Sequence, residues 1–116
     1  MLQKERNALS TLRQKYAHCQ VEIVEGHVTS LHIYAENLQS LPPEVTEFPK
    51  LQTLGLQQNG LEQIPTAIFN LHSLKKLDLR YNQIHDIPRD ICALEQLERI
   101  DLDNNAITHY PIVSPS

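Results

Sequence analysis

Tryptophan is absent from these 116 residues, and glycine occurs three times, cysteine twice and phenylalanine twice. Three glycines cannot line the backbone loop that cradles a phosphate. Two cysteines, Cys19 and Cys92, supply neither a disulfide framework nor a four-ligand zinc site. No apolar run approaches the roughly 18 residues of a membrane-spanning helix, so no membrane insertion is expected. A basic excess is missing too: ten Lys and Arg face 14 Asp and Glu, for a formal charge of -4. That argues against a nucleic-acid or anionic-membrane surface. Met1 to Arg6 contains no apolar stretch and is no signal peptide, which makes the cytosol the expected address. The signatures H-E-x-x-H, C-x-x-C and G-x-S-x-G do not occur. The six histidines, His18, His27, His32, His72, His85 and His109, share no repeated position and read as surface side chains. No metal, cofactor or catalytic residue is expected, and the chain reads as no enzyme.

What is present is a repeat. Val28, Leu51, Leu74 and Leu97 fall 23 residues apart. Three residues on come Leu31, Leu54, Leu77 and Ile100, then Ile33, Leu56, Leu79 and Leu102. Leu38, Leu61, Ile84 and Ile107 follow, and then Leu41, Ile64, Ile87 and Tyr110, each with a proline behind it. The first three units continue with Val45, Ile68 and Ile91 and with Phe48, Leu71 and Leu94. Every one of these positions is apolar, in a chain that is 41% apolar overall. The L-x-L core of each unit has period 2 and predicts a short strand. The mixed spacing after it predicts a bend and a short helix. No unit can bury its apolar face alone, so the units must stack.

Leu51-x-x-Leu54-x-Leu56-x-x-Asn59-x-Leu61-x-x-Ile64-Pro65 and its counterpart from Leu74 to Pro88 resemble the leucine-rich repeat family. The 23-residue unit with proline at its end is similar to the intracellular class, which includes Ras-binding scaffolds. The resemblance implies an α/β solenoid with a curved parallel sheet, one strand per repeat, and short helices or turns on the convex side. Four units are expected, at 28–50, 51–73, 74–96 and 97–116, the last incomplete. A cap at 1–27 precedes them, all in one structural domain.

Asn59, Asn82 and Asn105 recur at one register position. Their amides can bond the backbone groups that the bend after each strand leaves unpaired, so they are expected to form a structural ladder. The first unit has Glu36 there, with Asn37 beside it. Its bend is expected to be looser, or bonded through Asn37. Residues 2–17 read as a helix with Leu2, Leu9, Leu12 and Tyr16 on one face. Val21 and Ile23 alternate with polar neighbours, and Glu25-Gly26 signals a turn, so 20–33 reads as a β-hairpin. Helix and hairpin together are read as an N-terminal cap. At the other end, the register asks for an apolar residue at 114 and the sequence has Ser114. Three explanations stay open: a longer native protein, an edge that meets another copy, or a frayed end. Ile112 and Val113 could fold back as a minimal cap. Cys19 and Cys92 lie three units apart, beyond disulfide reach, and are expected as free, mostly buried thiols.

The strand residues between the leucines point away from the core. They are Ser30, His32 and Tyr34, then Thr53, Gly55 and Gln57, then Lys76, Asp78 and Arg80, and finally Arg99, Asp101 and Asp103, with Tyr81 on the adjoining rim. Gly55 reads as a flat spot. Asp78, Arg80, Arg99 and Asp101 are expected either to pair across neighbouring strands or to meet a ligand. In the family this concave face is the usual ligand surface. The expected function is therefore a non-catalytic module binding a protein or peptide across His32, Tyr34, Gln57, Lys76, Asp78, Arg80, Tyr81, Arg99, Asp101 and Asp103. A small GTPase enters as a partner by family analogy alone. The alternative is a structural solenoid piece, a monomer or weak dimer, that associates through its uncapped C-terminal edge.

Overall fold

The computed structural model describes residues 1–108. His109, Tyr110, Ile112, Val113 and Ser114, which entered the sequence reading, lie outside the described residues. Helix α1 spans Gln3–Lys15 and is followed by strand β1 at Cys19–Val24 and strand β2 at His27–Ile33. Three-residue strands follow at Thr53–Gly55 (β3), Lys76–Asp78 (β4) and Arg99–Asp101 (β5). One sheet holds all five in chain order. β1 and β2 are antiparallel, and β2 to β5 are parallel in a constant 23-residue register, Leu31 beside Leu54, Leu77 and Ile100. Between the parallel strands run 3-10 helices at Pro43–Glu47, Thr66–Asn70 and Arg89–Ala93, each opening on a proline. Pro43 takes the first helical position, and Pro65 and Pro88 the N-cap just before it, where proline's missing N–H has no intrahelical partner to lose.

The leucine face of the sheet packs on these helices. Leu31, Ile33, Leu54, Leu56 and Leu79 are fully buried, with Val45 and Ile68 from the 3-10 helices against them. Helix α1 contributes Ala8, Leu9 and Leu12 to the same cluster and lies against the first 3-10 helix, with Lys15 Nζ 3.0 Å from Glu44 Oε1. It thus stands where a preceding unit's convex helix would stand. Leu2 does not share that face and is exposed; the helix begins only at Gln3, so Leu2 lacks the helical direction its spacing assumed.

Glu25 and Gly26 both have positive φ, the backbone of a tight two-residue hairpin turn in which glycine carries no Cβ penalty. Farther along, the hairpin register slips between Glu22 and Ile23, leaving Thr29 as the extra residue in β2. A bulge breaks the period of two. In β2 the extra residue lets Val28 and Leu31, three apart, both face the core, while Ile23, opposite Val28 near the turn, is exposed.

Two carboxylates finish the cap. In later units the first backbone N–H bonds the carbonyl three residues before it, Leu51 to Phe48 and Leu74 to Leu71. At Val28 that place falls in the hairpin turn, and the N–H goes instead to Glu5 Oε1 at 3.3 Å. Glu5 is fully buried on α1 and its other oxygen meets His27 Nδ1 at 2.9 Å. Burial pushes the Glu5 carboxyl up, but the His27 and Val28 hydrogen bonds outweigh it and hold the pKa below the ordinary range. His27 is therefore no simple surface histidine. His18 also has a partner, in the second carboxylate.

Each ladder asparagine serves the unit before its own. Asn82 Oδ1 accepts the N–H groups of Asn59 and Leu61 at 3.0 Å, and its amide donates to the carbonyls of Leu56 and Leu79. Asn59 joins Glu36 N–H and the Ile33 carbonyl, and Asn105 joins Ile84 N–H and the Leu79 carbonyl. The first bend is thus bonded through Asn59, not through Asn37. Glu36 occupies the ladder position of its own unit and turns to the cap, where Oε2 accepts His18 N–H at 2.7 Å and lies 3.0 Å from His18 Nδ1. A carboxylate accepts but cannot donate, which suffices where the preceding element is an antiparallel strand rather than another bend.

Candidate functional site

The constant register lines the outward strand residues into columns. The first holds Ser30, Thr53, Lys76 and Arg99, and the second His32, Gly55, Asp78 and Asp101. Tyr34, Gln57, Arg80 and Asp103 continue the same outward parity one step on. Apart from Gly55, all of these side chains are half-buried or exposed.

Gly55 is no flat spot. A Cβ built there would lie inside the His32 imidazole and against Gln57 Oε1. The glycine lets the His32 ring lie over the strand, so His32 fills the second unit's place in the column as well as its own. Gln57 Oε1 is buried and has no hydrogen-bond partner among the described residues. Tyr34 leans towards the cap: its ring centroid lies 5.2 Å from that of His18, and Gln20 Nε2 donates to its hydroxyl at 3.4 Å.

The charged half is paired, but along each strand rather than between strands. Arg80 Nε and Nη2 donate to the two oxygens of Asp78 at 2.9 and 2.8 Å, and the Arg80 backbone N–H adds a third bond at 3.2 Å. Arg99 Nε reaches both oxygens of Asp101 at 3.2 Å. Residues two apart on a strand share a face, and the D-L-R and R-I-D spacings place each guanidinium over its own strand's carboxylate. Partial burial pushes the Asp78 carboxyl up, and the Arg80 hydrogen bonds reverse this and hold it below the usual range. Arg80 is raised in return. Lys76 and Asp103 belong to no ion pair among the described residues.

Tyr81 stands on the rim, 53% exposed. Its backbone has φ of +58°, in register with Ala35, Gln58 and Asn104, all near +60°. This left-handed position recurs in all four units, with Asn37 and Gly60 adding a second in the first two; it turns the chain off the strand and swings the Tyr81 ring outward. Strand parity puts Tyr81 on the rim, but the sequence carries no signal for this backbone, because tyrosine is not a residue that advertises positive φ.

Other features lie away from the face. A concavity of about 470 Å³ separates 38–41 from 60–67 at the strand exits. Cys92 is exposed, not buried, on the third 3-10 helix, which among the described residues contributes no buried side chain. Cys19 is half-buried, and burial raises its thiol pKa. No group of three His, Cys, Asp or Glu among the described residues is placed to hold a metal. No described helix is long and apolar enough to cross a membrane.

A family model for leucine rich repeats matches residues 49–107. A comparison with curated proteins finds no match. Among solved structures the chain is similar to the crystal structure of PEPR1–AtPEP1, with TM-score 0.58 and 24% identity over 90% of this chain. It spans only 18% of that chain. It is also similar to the ectodomain of the receptor kinase SOBIR1 from Arabidopsis thaliana, with TM-score 0.48, 17% identity, 99% of this chain and 98% of that one. The match of 59 residues in 116, together with the stacked parallel strands, shows that the chain belongs to the leucine-rich repeat family, whose members generally mediate protein–protein interactions and are typically non-catalytic.

Proposed function

We propose that this chain is a non-catalytic binding module that holds a protein or peptide on the outward strand face and its rim. The observation that carries the reading is the contrast between the two sheet faces. One is a continuous core, and the other leaves eleven polar or aromatic side chains from Ser30 to Asp103 half-buried or exposed in three columns. His32, Tyr34, Gln57, Lys76, Asp78, Arg80, Arg99, Asp101 and Asp103 form the face, and Tyr81 is its exposed aromatic rim. Tyrosine and arginine are the residue types that dominate interface energetics. The division into a cap at 1–27 and four repeats from 28 to 116 belongs to the same proposal. A small GTPase remains one partner class, on family analogy alone. Free thiols at Cys19 and Cys92 favour a reducing compartment, the cytosol.

Affinity capture with the folded chain, run beside Arg80→Glu/Tyr81→Ala, tests the reading. A protein held by the first and lost by the second is expected; identical captures overturn it. A second reading, self-association through the β5 edge, has its own observation: Leu97, Ile100, Leu102 and Ile107 are only partly buried. Light scattering over a concentration series decides it, and a strict monomer throughout sinks it.

A further inference from the structure

The proposed ligand face carries a charge arrangement that its own residues leave incomplete, and the inference here rests on that face being the ligand surface. Its first column, Ser30, Thr53, Lys76 and Arg99, contains two hydroxyls and two cations and no carboxylate. Neighbouring strands stand about 4.8 Å apart, so Lys76 and Arg99 are side by side, and like charges directly opposite one another are unfavourable. The carboxylates of the next column do not relieve them equally. Both oxygens of Asp78 are taken by Arg80. Asp101 takes only Arg99 Nε, at 3.2 Å, and the Arg99 side chain is 68% exposed. Its terminal amino groups and the whole Lys76 ammonium have no carboxylate among the described residues.

We propose that this column seats an acidic segment of the partner, an extended peptide with an Asp or Glu carboxylate bridging Lys76 Nζ and the terminal guanidinium nitrogens of Arg99. One carboxylate spans two cations at strand spacing and converts a repulsive pair into a charge-assisted one. Ser30 and Thr53 extend the seat with hydroxyls towards the neutral half, so the acidic residue lies over β4 and β5 and polar residues follow over β2 and β3. The chain's own charge of -4 works against an acidic partner at long range. Recognition therefore depends on the local pair rather than on steering by net charge.

Selection from a displayed random-peptide library on the immobilised intact chain tests this. Peptides rich in Asp and Glu are expected. The best of them, synthesised, should bind Lys76→Glu/Arg99→Glu at least about tenfold more weakly, bind Lys76→Arg as it binds the unaltered chain, and weaken as salt rises. Both altered side chains are exposed, and an unchanged urea midpoint shows that the double variant is folded. Acidic peptides that bind the double variant equally well overturn the inference. So do selected peptides rich in Lys and Arg; if Asp103→Lys abolishes their binding, the face remains a ligand surface with the opposite preference. Selected peptides indifferent to every substitution on the face overturn the inference and the broader reading together.

Discussion

At β2, Val28, Leu31 and Ile33 are completely buried, whereas at β5 the residues in the same register, Leu97, Ile100 and Leu102, are only partly so. The residue types are equivalent and the backbone register is unbroken. What differs is the neighbour. β2 has β3 on one side and the hairpin on the other, with α1 lying on the first 3-10 helix; β5 pairs with β4. Burial in a stacked chain is thus a property of the pair of units rather than of the leucine. The same gradient reaches the convex side, where Val45 and Ile68 are fully buried and Ile91 is not.

The comparison breaks most readily at matched core positions. Leu79→Ala should cost about 2–5 kcal/mol as a cavity in a full core, and Leu102→Ala, one unit on, less than half of that, both from urea denaturation. Equal costs would mean that β5 is as well covered as β4. The ladder sharpens the same contrast. Asn82→Ala should cost about 1–3 kcal/mol, because it strands buried N–H and carbonyl groups. Asn105→Ala, whose side chain is only partly buried, should cost less.

Acid, read as the difference between the unaltered chain and Glu5→Gln, tests the covered end. Glu5 titrates below its ordinary value near 4.5 in the folded chain, so its contribution is present above that value and is lost as pH falls through the folded one. The stability advantage of the unaltered chain over Glu5→Gln should therefore persist at neutral pH and shrink from about pH 4.5 downward. Hydrogen exchange at the Val28 amide reports it locally. An advantage independent of pH would show that the carboxylate is not the cap's acceptor. The smallest effect is on thiol reactivity: Cys92 should react with a disulfide reagent before Cys19, whose burial also raises its pKa. Simultaneous labelling would mean that the covered end is loose.

The repeat, the strands and the asparagine ladder were legible because they recur: 23-residue periodicity states the register four times over. Glu36 was half-legible, since it sits where other units have asparagine, but its acceptor role towards His18 depends on which way the cap turns. Glu5 carried no signal. On an amphipathic helix a glutamate reads as solvent-facing, and only the missing carbonyl before Val28 explains its burial. The bulge at Thr29 was equally silent, and it is what brings Val28 and Leu31, three apart, onto one buried face. On the candidate face, the residues were legible from strand parity. Their pairing was legible only in part: the expected partners lay across neighbouring strands, whereas Arg80 takes Asp78 and Arg99 takes Asp101 two residues away on the same strand. The His32 ring over Gly55 was not legible, because it requires a side chain to cross to the next strand.

The ladder also has a direction in time. Glu36 N–H waits for Asn59, Asn59 N–H for Asn82 and Ile84 N–H for Asn105, so every bend receives its closing amide from chain synthesised later. At ribosomal speeds of about 5–20 residues per second, each bend stays open for roughly one to five seconds after it emerges. The cap waits less: Val28 N–H is served by Glu5, synthesised before it, and His18 N–H by Glu36, 18 residues later, so both carboxylates are in place before the second unit leaves the tunnel. The N-terminal end can therefore close first and offer each arriving unit a finished edge.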